Sequence, residues 1–131
     1  MPECIRIIPR AKLTRIADLT ERSPEWNVHL KLLSVEGCLC IMHGEDDPPE
    51  KYYLILFDYP NRFKSFVGDL EETETEIRLI TADTGYVFTV TDGELTEEKS
   101  AVLKKQLYSL LALLETENVL SDYLNNNNDN R

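Results

Sequence analysis

The stretch TEEKSAVLKKQLYSLLALL, residues 96–114, has the strongest helical periodicity in the chain. Its leucines recur at intervals of three and four residues, which places them on one face of an amphipathic helix. Thr96 is a favourable N-cap, and Glu97 and Glu98 fall in the first turn, where the helix dipole stabilises acids. The leucines of the apolar face are Leu103, Leu107, Leu110, Leu111 and Leu114. Such a face needs an apolar surface to cover, so we expect the preceding chain to form a sheet.

The chain before this helix contains short β-prone runs separated by turns. The runs 38–43 and 51–59 are apolar at both odd and even positions, which predicts central strands buried on both faces. Glu36-Gly37 and residues 82–85 predict hairpin turns, with Gly37 and Gly85 supplying the turn geometry. We predict strands over residues 4–8, 26–32, 38–43, 51–59, 62–70, 77–81 and 86–91.

Residues 11–22 fit two structures. Leu13, Ile16 and Ala17 lie on one helical face, which predicts a short helix, and an extended strand is the alternative. Pro9 is expected to end the first strand or to place it at a sheet edge. Ser23-Pro24 then interrupts whichever element precedes it.

Strands joined by short turns indicate an antiparallel sheet. We therefore predict an α+β fold, a mostly antiparallel roll or barrel of about six to seven strands capped by a C-terminal amphipathic helix. Over residues 4–124 this order of elements resembles that of pleckstrin-homology-like domains, which implies that the helix plugs the open mouth of a curved sheet. The alternative architecture is a β-sandwich head with a C-terminal dimerisation helix.

The domain prediction is a single domain over residues 1–124. Residues 125–131, NNNNDNR, are polar and of low complexity, which predicts a disordered tail or the start of a linker. A linker at this position would make the chain the N-terminal domain of a larger complex subunit.

Composition limits where the protein acts. No apolar run approaches the roughly 20 residues that cross a bilayer, so we predict no membrane span. Three cysteines in 131 residues fit a reducing compartment better than a disulfide framework. The start, MPECIRIIPR, is too short and too interrupted for a secretory signal. An intracellular location, cytoplasmic or nuclear, is expected.

The net charge is −10 and is unevenly distributed. Residues 1–34 hold six bases and four acids, whereas the remaining chain holds eight bases and twenty acids. An acidic protein is disfavoured as a general nucleic-acid binder, because neutralising phosphates requires clustered positive charge. The alternative is a nucleic-acid-associated factor with an N-terminal basic edge. Its bases would be Arg6, Arg10, Lys12 and Arg15, with Arg62 and Lys64.

The pattern Cys38-x-Cys40-x-x-His43, with Cys4 or His29 as a further ligand, is the one grouping that resembles a metal site. Zinc sites normally take their cysteines from a tight turn with C-x₂₋₄-C spacing. Cys38 and Cys40 are two residues apart in a predicted strand, so they share a face and are better explained as small buried apolar residues.

His43 is followed by three acids, Glu45, Asp46 and Asp47, and this grouping motivates a second alternative function, a small metal-dependent hydrolase. Adjacent acids in a proline-bounded loop usually point into water. The chain has no GxGxxG, GxxxxGK[ST] or GxSxG motif. We therefore predict no enzymatic activity, no catalytic or metal-binding residue and no cofactor.

Two surfaces are candidates for binding a partner. Tyr59, Arg62, Lys64 and Phe66 combine cationic and aromatic groups, which serve peptides, lipid headgroups and single-stranded nucleic acids. The competing interpretation places Phe63 and Phe66 in the core. The second candidate is the helix surface outside the leucine face, formed by Val102, Tyr108 and Leu113.

The main functional prediction is a non-catalytic protein–protein interaction module, an adaptor or scaffold. Its partner would be another protein, or a second copy bound through the C-terminal helix. Phosphoinositide binding is disfavoured, because the loops that would need basic residues carry Glu36-Gly37 and the acidic run EDDPPE.

Overall fold

A computed structural model describes residues 2–19, 34–59 and 61–129, with side chains described as far as residue 113. The predicted strand at residues 26–32, the Ser23-Pro24 break and His29 lie outside these ranges. The elements are β1 Glu3–Asp18, β2 Glu36–His43, β3 Tyr53–Asp58, β4 Asn61–Lys64, β5 Gly68–Glu72, β6 Glu76–Thr81, β7 Thr84–Asp92 and α1 Glu97–Asp129.

The α+β prediction is confirmed. The strands form one antiparallel sheet in the order β4-β3-β2-β1-β7-β6-β5, and a C-terminal helix follows. The sheet is an open roll, and it is a single sheet instead of the two sheets of a sandwich.

β1 is 16 residues long and runs through the segment that the sequence analysis favoured as a helix. The helix prediction is wrong over residues 11–18, and the extended alternative is correct there. The first part of β1 pairs with β2 and the second part with β7, with Ala11 and Leu13 fully buried between them. Pro9 does not end the strand, because it lies at a register shift between Ile8 and Ala11, where an N–H group is not required.

Two predicted turn glycines lie inside strands. Gly37 belongs to β2, where a Cβ atom would lie 2.3 Å from the carbonyl oxygen of Phe57, so this glycine permits close backbone approach. Gly85 belongs to β7, and Ala82 and Asp83 alone form the turn that follows β6. None of the described glycines has a positive φ; among the described residues only Ser34 does, at 72°.

The predicted strand over 62–70 is in fact two strands. β4 and β5 occupy the two ends of the sheet order and are joined by residues 65–67. The contact between the residues just before β3 and the start of β5 is called the seam and consists of Lys51, Tyr52, Gly68 and Asp69. Tyr52 and Gly68 exchange two backbone hydrogen bonds of 3.1 and 2.8 Å, and Lys51 Nζ lies 2.5 Å from Asp69 Oδ1.

The core of the sheet unit is the inside of the roll. Side chains from β1, β2, β3, β6 and β7 form it, and they are Ile8, Ala11, Leu13, Leu39, Ile41, Leu54, Leu56, Ile77, Leu79, Tyr86 and Phe88. Cys38, Cys40 and Met42 alternate with the core residues of β2 and are also buried. β2 and β3 are thus buried on both faces, as their apolar character at both parities predicts.

The helix is a separate structural unit, Glu97–Arg131. Of its predicted apolar face, Leu107, Leu110 and Leu111 are buried and Leu103 is half-buried, while the side chain of Leu114 lies outside the described ones. Beyond that face, Val102 and Tyr108 are 56% and 60% exposed. Helical backbone continues through residues 125–129, past the boundary predicted at residue 124. The single-domain boundary, the disordered tail and the plugging of the sheet by the helix stay predictions. No helix within the described part of the chain has the length and apolar character needed to cross a bilayer.

Candidate functional site

The end of β4 positions the most exposed aromatic side chain that the structure describes. Ser65, which follows β4, is buried, and its N–H donates to the Leu54 carbonyl oxygen at 2.9 Å. The Ser65 hydroxyl accepts the Leu54 N–H at 2.8 Å and donates to the Phe66 carbonyl oxygen at 2.9 Å. Ser65 therefore fixes the chain against β3 just before Phe66.

Phe66 is 80% exposed. The interpretation that placed both phenylalanines in the core is therefore wrong for Phe66. Phe63 does pack against the core, with its ring centroid 5.4 Å from that of Tyr86. The difference between the two follows from position, since Phe63 is a paired residue of β4 and Phe66 lies beyond the last paired residue.

A pocket of about 330 Å³ adjoins Phe66 and is called the Phe66 pocket. Its walls are residues 44–47, Tyr53 and residues 64–67. The 44–47 loop is folded on itself, because Asp47 Oδ2 accepts the Gly44 N–H at 2.8 Å and the Asp47 N–H donates to the Gly44 carbonyl oxygen at 3.1 Å. The pocket thus combines an acidic loop with an exposed aromatic ring.

Lys64 and Tyr53 form a cation–aromatic pair within this pocket. Lys64 Nζ lies 5.1 Å from the centroid of the Tyr53 ring, which is within the range of a cation–π interaction. Burial, the Asp47 carboxylate and Cys4 raise the pKa of Tyr53 above its ordinary value, in that order of effect. The effect of Asp47 indicates that its negative potential extends to Tyr53.

The other residues of this predicted surface lie elsewhere. Arg62 lines a second pocket, of about 290 Å³, together with Val35 and Phe63. Tyr59 follows β3 and is 46% exposed. The structure thus brings Lys64 and Phe66 to one pocket and Arg62 to another.

Val102, Tyr108 and Leu113, the helix residues predicted to bind a partner, do not lie together. Val102 and Leu113 are about three helical turns apart and lie on the same side of the helix. Tyr108 is on the other side of the buried leucines, because it is one residue beyond Leu107, a rotation of about 100°. All three are exposed, Leu113 by 42%, but they do not form one continuous patch.

The N-terminal bases are partly engaged in ion pairs within the sheet unit. The Arg6 guanidinium contacts the Glu72 carboxylate, and Arg10 Nε lies 3.3 Å from Glu36 Oε1. The Thr91 hydroxyl donates to the same Glu36 oxygen at 2.8 Å, and this bond together with Arg10 holds the pKa of Glu36 below its ordinary value. Arg6 and Arg10 are therefore partly neutralised by carboxylates of the same chain.

Cys38 and Cys40 are buried thiols, whereas Cys4 is half-buried. Hydrogen bonding to Cys38, then to Cys4, together with burial, raises the pKa of the Cys40 thiol far above its ordinary value. That favours the protonated thiol over the thiolate that metals bind. Among the described residues, no group of three or more His, Cys, Asp or Glu side chains is arranged to hold a metal ion.

Comparison with known proteins gives no relative. No family model, no curated protein and no solved structure matches the chain. The likeness to pleckstrin-homology-like domains is therefore one of element order alone.

Sequence reasoning missed the Phe66 pocket as a unit. It treated the 44–47 loop and residues 62–66 as separate features, because about twenty residues separate them in the chain. Tyr53 was included only as part of an apolar strand. The one available signal was Ser65, a small polar residue between two phenylalanines, which is the type that bonds to nearby backbone where a strand ends.

Proposed function

We propose that this protein is a non-catalytic protein–protein interaction module, an adaptor or scaffold, and that Phe66 is its main contact residue. The exposure of Phe66, 80%, is the observation that supports the proposal most directly. Burying a phenylalanine side chain at an interface contributes about 1.5–3 kcal/mol. Single aromatic anchors of this kind supply much of the affinity at protein interfaces.

The position of Phe66 adds to this support. The backbone on its N-terminal side is held by the bonds of Ser65 to Leu54, so little chain entropy is lost there when a partner binds. A pocket adjoins the ring and offers space for a partner side chain beside it. A pre-organised aromatic group next to a pocket suits the anchor of a binding site.

The two alternative functions have less support. A nucleic-acid interface would use Arg6 and Arg10, which are ion-paired with carboxylates of this chain. A hydrolase would use His43, whose Nδ1 lies 2.9 Å from the Lys51 carbonyl oxygen. Self-association through Val102 and Leu113 remains a second mode of protein binding, and the intracellular location remains an expectation from the sequence.

Affinity capture with the full chain tests the proposal. The bait proteins are the wild type, Phe66→Ser and Ile80→Ser, added to extract of cells that express the protein. Ile80 is a matched control, because it is an apolar strand residue that is 43% exposed and lies outside the Phe66 pocket. We expect the wild type and Ile80→Ser to retain the same partners and Phe66→Ser to lose them. Equal retention by all three baits would contradict the proposal.

A further inference from the structure

We infer that the Phe66 pocket binds an arginine side chain from an extended segment of the partner protein. The inference rests on the proposed function, since it names the chemistry of the partner at the same site. It follows from three properties of the pocket, which are its charge, its exposed ring and its size.

The charge of the pocket favours a cation. Among the described side chains that line it, Glu45, Asp46 and Asp47 are acidic and Lys64 is basic. The whole chain adds to this bias with its net charge of −10. Phosphate groups and acidic segments are repelled by such a surface, whereas cationic segments are attracted and oriented by it.

Asp47 is held within the 44–47 loop. Its bond to the Gly44 N–H uses one carboxylate oxygen, Oδ2, and restrains the side chain. Asp47 and Tyr53 both line the pocket, and the Asp47 carboxylate is, after burial, the main cause of the raised pKa of Tyr53. A carboxylate and an aromatic ring on the walls of one pocket offer the two contacts that a guanidinium group makes best, an ion pair at its edge and stacking on its face.

Arginine fits better than lysine. The Tyr53 ring already carries the Lys64 ammonium group at 5.1 Å, so an incoming cation meets the more exposed ring of Phe66. A planar guanidinium stacks on such a ring and keeps its in-plane N–H donors for carboxylates, whereas an ammonium group is a point charge with a strong hydration shell. A volume of about 330 Å³ accommodates one long side chain but not a folded element.

Binding of four synthetic peptides to the 131-residue chain tests this inference. The peptides are identical except at one central position, which is arginine, lysine, citrulline or glutamate, and a leucine precedes it. Citrulline keeps the shape of arginine without its charge. We expect the arginine peptide to bind about five to twenty times more tightly than the citrulline peptide, with lysine between them and glutamate weakest.

Matched variants locate the binding. Asp46→Asn and Glu71→Gln each remove one exposed negative charge, but only Asp46 lines the pocket. Asp46→Asn and Phe66→Ser should each weaken the arginine peptide about fivefold, and Glu71→Gln should leave its affinity within about twofold. Titrations followed by NMR at millimolar peptide detect even weak complexes and confirm that each variant is folded.

The outcomes separate this inference from the proposed function. If arginine and citrulline peptides bind equally, or if Asp46→Asn and Glu71→Gln behave alike, the inference is overturned, while loss of cellular partners by Phe66→Ser still supports the proposed function. Preference for the glutamate peptide also overturns it. The protein could also self-associate, bind no peptide, and lose self-association with Phe66→Ser. That outcome would assign the pocket to a second copy and would overturn the inference as well.

Discussion

Gly68 on β5 lies directly against Ile80 on β6, so that a Cβ atom on Gly68 would be 2.3 Å from the Ile80 carbonyl oxygen. Gly68 also forms the backbone bridge to Tyr52, the residue just before β3. Gly68 thus contacts the backbone of β6 on one side and that of Tyr52 on the other. The close approach at Gly68 accounts for a glycine at a position that has no need of positive φ.

The first prediction is that Gly68→Ala destabilises the fold. The methyl group must displace backbone atoms of β6, because no flexible side chain is present to move aside. The expected loss is about 1–3 kcal/mol in the free energy of unfolding, measured by urea denaturation.

Gly93→Ala is the matched control. Its Cβ would meet only Val90 Cγ1, at 3.6 Å, which is an ordinary van der Waals contact. We expect a change within about 0.5 kcal/mol, or a slight gain from reduced entropy of the unfolded chain. Equal losses of stability for the two variants would show that the contact with Ile80 is not the reason why position 68 requires glycine.

A buried strand, the start of the helix and one hairpin were predictable from local sequence. The apolar character of 38–43 at both parities predicted a strand buried on both sides, and Thr96 followed by two glutamates predicted the helix start. The hairpin between β6 and β7 was predicted because its strands are adjacent in the chain. In each case the deciding interactions are local or depend on one residue's own chemistry.

The features that were predicted wrongly or missed depend on contacts between residues that are distant in the chain. Gly37 was predicted to form a turn, but it permits close approach of β3, and the sequence alone does not distinguish these two uses of glycine. The helical spacing of residues 11–18 was overridden by pairing with β7, which is about seventy residues away. The exposure of Phe66 depends on the bond between Ser65 and Leu54, which cannot be read before the β3–β4 register is known.

The second prediction concerns the two sides of the helix. Leu110 is fully buried, so Leu110→Ala leaves a cavity and should cost about 2–5 kcal/mol in the free energy of unfolding. Val102 and Tyr108 are more than half exposed, so Val102→Ser and Tyr108→Ser should each change it by less than about 1 kcal/mol. Thermal unfolding measures all three. A large loss for Val102→Ser would mean that this side of the helix is a structural surface.

The third prediction is a loss of stability at alkaline pH. Hydrogen bonding to Cys38 and Cys4, together with burial, raises the pKa of the Cys40 thiol above its ordinary value of 9.0. Below that pH both the folded and the unfolded states keep the proton. Above it the unfolded chain releases the proton and the folded chain retains it, so stability falls as the pH rises, by at most about 1 kcal/mol per pH unit for this one proton.

Urea denaturation between about pH 8 and pH 10.5 checks this prediction. Cys40→Ala should start from a lower stability, because it removes a buried side chain, but should decline less steeply above pH 9.0. The raised pKa of Tyr53 acts in the same direction above its ordinary value of 10.0, so Tyr53→Phe provides the correction for that group. Parallel pH profiles for the wild type and Cys40→Ala would contradict the role assigned to Cys40.

The last prediction links stability to binding through Ser65. Ser65→Ala removes the hydroxyl that accepts the Leu54 N–H and leaves that buried donor without this partner. The expected cost is about 1–3 kcal/mol in the free energy of unfolding, with faster amide exchange at Leu54. Partner capture should also weaken, because Phe66 is then less firmly positioned.

Ser109→Ala is the control for Ser65→Ala. The Ser109 hydroxyl donates to the Lys105 carbonyl oxygen at 3.0 Å, and alanine has the higher helix propensity, so a change within about 0.5 kcal/mol is expected. If Ser65→Ala lowered stability but left partner capture at the wild-type level, the positioning of Phe66 by Ser65 would not matter for binding. If capture fell while stability stayed unchanged, the Ser65 hydroxyl would position Phe66 for the partner without contributing measurably to the free energy of unfolding.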